Sequence, residues 1–183
     1  MSITRDRDAA RADIEGLAER SSALLDRIER ATNDEQRNWR PAAGTWSMVE
    51  IVQHIALATA GMFRTTHPAS TSLRWRGVPK VALMTRVLRS RIKIRAPVSA
   101  IVPRPGVTWD EARTRLSDAV AKWREFVEGD SFDTTAFRHP LTGRITSSQT
   151  ARFVAEHFDH HVRQIDRLLT AQGLDQLERQ NNA

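Results

Sequence analysis

Three of the chain's six histidines fall within five positions of "EHFDHHVRQIDRLL", residues 156–169. At about 100° of rotation per residue, Val154, His157, His161, Gln164 and Leu168 share one stripe of a helix, and Arg152, Glu156, Asp159, Arg163 and Asp166 share the opposite one. His157 and His161 are therefore neighbours near the core-facing surface and can aim ring nitrogens at one point, whereas His160 turns toward the polar boundary. A buried imidazole hydrogen-bonds through both nitrogens or costs about 1–3 kcal/mol for each orphaned polar atom. A divalent cation satisfies two rings at once, and H-x-x-x-H on a helix is a spacing that metal sites use. Carboxylates or backbone carbonyls would satisfy the same rings, so the pair alone leaves both readings open.

His54 adds a third imidazole. Ile51, Ile55, Ala58 and Met62 place it on the apolar side of a second helix. A lone histidine on such a face is more often a satisfied core residue. In a small bundle, however, facing helices share an interior point, which is the usual place for bundle metal sites. Three neutral imidazoles with a position left open make the donor set of a catalytic zinc-type centre. The chain has no cysteine, which excludes disulfides, thiolate ligands and a cysteine nucleophile. His67 and His139 each precede a proline, which steers them out of helical backbone, and both read as loop residues, His139 near the mouth of the site.

The elements that must position these side chains are helices. Ile14, Leu17, Leu24, Leu25 and Ile28 recur at helical spacing from about Asp6 to Ala31. Ser47 with Glu50, Thr108 with Glu111 and Thr146 with Gln149 each open a further helix with a capping box, the second ending at Gly129 and the third closing at Gly173. Another helix is expected over Lys80–Ile94, between Pro79 and Pro97. "TNDEQRNWRPAAGTW", "APVSAIVPRPG" and "DTTAFRHPLTGRIT" read as loops, and no strand pair stands out. The expectation is an all-α four-helix bundle with a basic insertion between the second and third long helices, as one domain over 1–173 with a tail at 174–183. At 183 residues such a domain buries about 70% of its unfolded surface and needs no structural metal to stay folded.

The net charge of +6 is concentrated between Arg64 and Pro105, where no acidic residue occurs. Such a stretch suits nucleic acid, an anionic membrane or an acidic small molecule, or is a solvated basic surface. Trp75 is the lone aromatic among its basic residues, which gives base stacking little support, and no nucleic-acid partner is expected. No apolar run approaches the ~20 residues of a membrane span, and "MSITRDRDAARADIEG" lacks a signal-peptide core, so a cytoplasmic protein is expected.

"GTWSMVEIVQHIALA" and "HPLTGRITSSQTARFVAEHFDHHVRQIDRLL" resemble the two signatures of the DinB-like superfamily. The likeness covers most of the chain and is loose from about Arg64 to Gly106. It implies a four-helix bundle in which His54, His157 and His161 hold a divalent ion, zinc or nickel being common. It further implies Gln164 one turn beyond the site, supporting or packing against it, Trp46 at the mouth of the second long helix, and a homodimer. Some members of that family are transferases or isomerases using a low-molecular-weight thiol such as bacillithiol or mycothiol. The leading expectation is therefore a metal-dependent enzyme that activates such a thiol for attack on an electrophilic small molecule. Arg74, Arg76, Arg89 and Arg91 are candidates, by charge alone, to hold the thiol's carboxylates. The alternatives are a metal-dependent hydrolase, for which Glu50 reads as a cap rather than a base, and a metal-binding module without catalysis.

Overall fold

The structure is a computed structural model and describes residues 3–69, 82, 83, 86, 99–140 and 142–174. Helix α1, Ile3–Ala31, buries Ala10, Ile14, Leu17, Leu25 and Ile28 along one stripe. A five-residue helix, α2 at Asp34–Asn38, follows, with Asn33 and Gln36 closing a capping box. It lies in a segment that reads as loop, because five residues are too few to show a helical period. Helix α3 is Met48–Gly61 and continues into a 3-10 turn over Met62–Thr65. Helix α4 is Trp109–Glu128 and helix α5 is Ser147–Ala171.

Ser47, Thr108 and Thr146 cap α3, α4 and α5, each closing its box with the Glu or Gln three residues on. Gly129 ends α4, and beyond α5 Gly173 adopts φ +73°, backbone that favours glycine. The four long helices close a ring: α1 packs on α4 and α5, and α3 packs on the same two. Salt bridges hold α1 in register: Arg11–Glu128, Arg124–Glu15 and Arg113–Glu29 tie it to α4, Arg20–Asp159 and Arg27–Asp166 to α5. The polar stripe of α5 thus faces the flank of α1, and each such exposed pair contributes at most about 1 kcal/mol.

Helix α3 departs from the stripe expected of it. Met48, Val49, Ile51, Val52, Gln53, His54, Ile55, Ala56 and Thr59 are all buried, whereas Ala58 is only half-buried. The helix is covered on several sides, by α4, α5, α2 and a 3-10 turn at Ser99–Ile101. Its burial all round is what an apolar helix in the middle of a domain shows.

A small antiparallel sheet corrects the loop reading of "DTTAFRHPLTGRIT". Strands β2, Thr135–His139, and β3, Gly143–Thr146, form a hairpin, and β1, Thr66–Pro68, pairs with β2, giving the order β1-β2-β3. The register sets Phe137 between Thr66 and Ile145, and Gly143, at φ +76°, opposite His139. Strands of three to five residues carry too little alternation to stand out in sequence. His67 and His139 accordingly lie in strands, where the extended backbone imposed by the following proline is strand backbone. Phe137 packs with Trp123, Phe126 and Phe63 at ring separations of 5.3–5.9 Å, which roots the sheet in the core. The helix expected over Lys80–Ile94 lies outside the described residues, save for Ala82, Leu83 and Arg86, which are helical. Arg74, Trp75, Arg76, Arg89 and Arg91 also lie outside them.

Candidate metal centre

Two helices bring three imidazoles together. His54 sits in the second turn of α3, a helix whose start is fixed by Ser47 accepting from the Glu50 N–H at 3.3 Å and by Glu50 accepting from the Ser47 N–H at 2.9 Å. His157 and His161 stand one above the other on α5. Ring centroids are separated by 5.2 Å for His54 and His157, 4.6 Å for His54 and His161, and 4.5 Å for His157 and His161. One ring nitrogen from each lies within 4.8 Å of the other two. His54 and His161 are buried and His157 is half-buried, so the cluster sits at the edge of the core.

The outer hydrogen bonds set which nitrogens carry protons. His54 Nδ1 lies 2.7 Å from the Ile101 carbonyl, which can only accept, so Nδ1 is the protonated nitrogen and Nε2 keeps its lone pair. His161 Nδ1 lies 2.8 Å from Gln164 Oε1 and donates to it in the same way. The amide's other end, Nε2, lies 3.4 Å from His160 Nε2, which agrees with that orientation. His161 Nε2 then presents a lone pair to His157 Nε2 at 3.1 Å. In a tetrahedral site with metal–nitrogen bonds of about 2.0–2.1 Å the ligand nitrogens stand about 3.3 Å apart, close to that separation. The carbonyl behind His54 and the amide oxygen behind His161 are the outer partners that ligating histidines usually have.

Electrostatics keep these rings neutral. Burial pushes the His161 pKa down to about 3, helped by His54. Burial and then His161 and His54 drive His157 well below its usual value, and burial lowers His54 against the opposing pull of the Ile101 carbonyl. Neutral imidazole is the ligating form.

Trp46 lies 4.8 Å from the His54 ring, Phe153 stacks at 5.7 Å on His157, and His139 meets Phe153 edge-on at 4.5 Å. His139 is buried, its pKa lowered by burial to about 4, and its Nδ1 accepts from the Thr142 N–H at 3.3 Å. His160 stays outside the trio, its ring 5.0 Å from that of His161. Two acids near the trio in sequence are engaged elsewhere: Glu50 in the cap and with Arg40, and Asp159 with Arg20. Two contributors were invisible in sequence. The Ile101 carbonyl is backbone, and the neighbour it needs is 47 residues away, so no motif marks it. Gln53 reads as an ordinary helix residue, yet it is 1% exposed and accepts from the Arg104 N–H at 2.7 Å.

The sequence profile described as the DinB superfamily matches residues 8–165. This chain belongs to the DinB superfamily. Among solved structures, it is similar to YfiT from Bacillus subtilis, described as a probable metal-dependent hydrolase with an unusual four-helix bundle topology. That match has a TM-score of 0.55 at 16% identity, over 94% of this chain and 90% of the other, and bears on the fold. No curated protein matches the chain. His54, His157 and His161 all lie within the matched span of this DinB-superfamily chain. No described helix is long and apolar enough to cross a membrane.

Proposed function

We propose that this chain is a metal-dependent enzyme in which His54, His157 and His161 hold one divalent ion, zinc or nickel, and in which a low-molecular-weight thiol attacks an electrophilic small molecule. The observation that carries the metal reading is the convergence of three nitrogens within 4.8 Å, with His54 and His161 fixed by outer partners to face their lone pairs inward. When bound, a divalent ion held by neutral ligands keeps its full charge and lowers the pKa of a coordinated thiol or water. The chain's own part is to hold three neutral donors in place: Ile101 and Gln164 orient the rings, and burial suppresses their protonation. Trp46 and Phe153 flank the trio with apolar surface, which keeps water from its sides.

Thiol attack is favoured over hydrolysis because Glu50 and Asp159 are held by Arg40 and Arg20, and Glu156 lies beside Asp13 of α1. Hydrolysis is the second reading, supported by the description of YfiT as a probable metal-dependent hydrolase. A homodimer and an intracellular setting complete the proposal. Elemental analysis of untagged protein beside His54→Ala tests the ion: near-stoichiometric metal lost in the variant is the expected result, and equal content in both removes His54 from the site. Turnover of epoxides and esters with and without bacillithiol or mycothiol separates the reactions, thiol-independent ester cleavage reversing their ranking.

A further inference from the structure

Gln53 and His54 are consecutive on α3, and both reach the same returning stretch of chain. His54 Nδ1–H donates to the Ile101 carbonyl at 2.7 Å, and Gln53 Oε1 accepts from the Arg104 N–H at 2.7 Å. Arg104 stands between Pro103 and Pro105, neither of which has an N–H, so it carries the only backbone donor of that tripeptide. That single donor is spent on Gln53. The amide cannot be turned round, because its Nε2 would then face the Arg104 N–H. In the observed orientation Nε2 is buried and has no partner among the described residues. Such an orphaned N–H group is an unfavourable arrangement in a core, kept here together with a short bond to the strap.

We infer that Gln53 is a positioning residue for the metal centre: it pins the Ile101–Arg104 strap to α3, and the pinned Ile101 carbonyl holds the His54 proton on Nδ1 so that Nε2 faces the other two rings. The inference rests on the proposed metal site but is testable without it, since the tautomer is a property of the metal-free protein. A strap held at one end by Gln53 and at the other by His54 is coupled to the ion reciprocally: loosening it weakens metal binding, and metal binding tightens it.

The test uses two variants, Gln53→Leu and Arg104→Pro, the second removing the donor from an exposed loop position without altering α3. Nitrogen-15 NMR of the imidazoles reads the His54 tautomer in metal-free protein, and zinc competition against a chromophoric chelator reads affinity. Wild type is expected to show His54 protonated at Nδ1. Both variants are expected to show a mixture of tautomers at His54, unchanged signals at His161, and zinc binding weakened about 10–100-fold. A His54 tautomer unchanged in both variants overturns the inference whatever the metal does. A wild type that binds no zinc, yet shows the tautomer change in the variants, sinks the metal proposal and leaves the positioning role standing.

Discussion

At the scale of single residues, the proposed centre depends on which nitrogen of each ring holds a proton, and for His54 and His161 that is decided by Ile101 and Gln164. Gln164 is the clearest case because its amide oxygen takes the His161 proton at 2.8 Å. Replacing it by leucine leaves Nδ1–H without an acceptor and lets the proton move to the inward nitrogen. Gln164→Leu is expected to weaken zinc about 10–100-fold with little change in folding stability, since the side chain is only half-buried. Gln164→Glu, which keeps an acceptor and adds charge behind the ring, is expected to bind at least as tightly as wild type. Chelator competition checks both, and equal affinity for Gln164→Leu and wild type would remove the amide from the site.

At the scale of elements, α3 places His54 by starting at a fixed residue. The Ser47 hydroxyl accepts the Glu50 N–H, and Glu50 returns the bond while Arg40 grips its carboxylate at 2.6 and 2.9 Å. Ser47→Ala is expected to cost about 1 kcal/mol and to lower Tm by about 2–4 °C, readable by calorimetry. Glu50→Gln, which can still close the box, should cost less, and equal losses would mean that the cap is not what matters. These caps were legible in sequence because a capping box is local chemistry, complete within four residues. The inward histidines were legible for a related reason, since helical spacing alone puts His157 beside His161. The hairpin bearing His139 was not, because a five-residue strand joined to a four-residue one shows almost no period. The strap behind His54 was not either, because a backbone carbonyl has no letter of its own.

At the scale of the whole molecule, keeping four imidazoles neutral has a consequence for folding and one for binding. In the folded, metal-free protein His139 takes up a proton only near pH 4 and His161 near pH 3, with His157 and His54 also lowered, whereas the unfolded chain takes up each near 6.5. Between those values the unfolded state binds more protons, so stability is full above about 6.5 and is lost as pH falls below it. Ordinary carboxylates titrate at about 4, below this interval, so denaturant unfolding between pH 7 and 5 reads mainly the histidines: stability is expected to fall steeply there, and to fall less in His139→Leu. A flat profile would mean that the rings take up protons in the folded protein as they do in the unfolded chain. Metal affinity should behave in the opposite manner. An exposed histidine site loses its ion as pH drops through 6.5, because protons compete for the ligand nitrogens. Here the protons are already excluded by burial, so zinc affinity measured on folded protein is expected to hold nearly constant from pH 7 to 5.5. A tenfold loss across that interval would show that the imidazoles are not kept neutral by the fold.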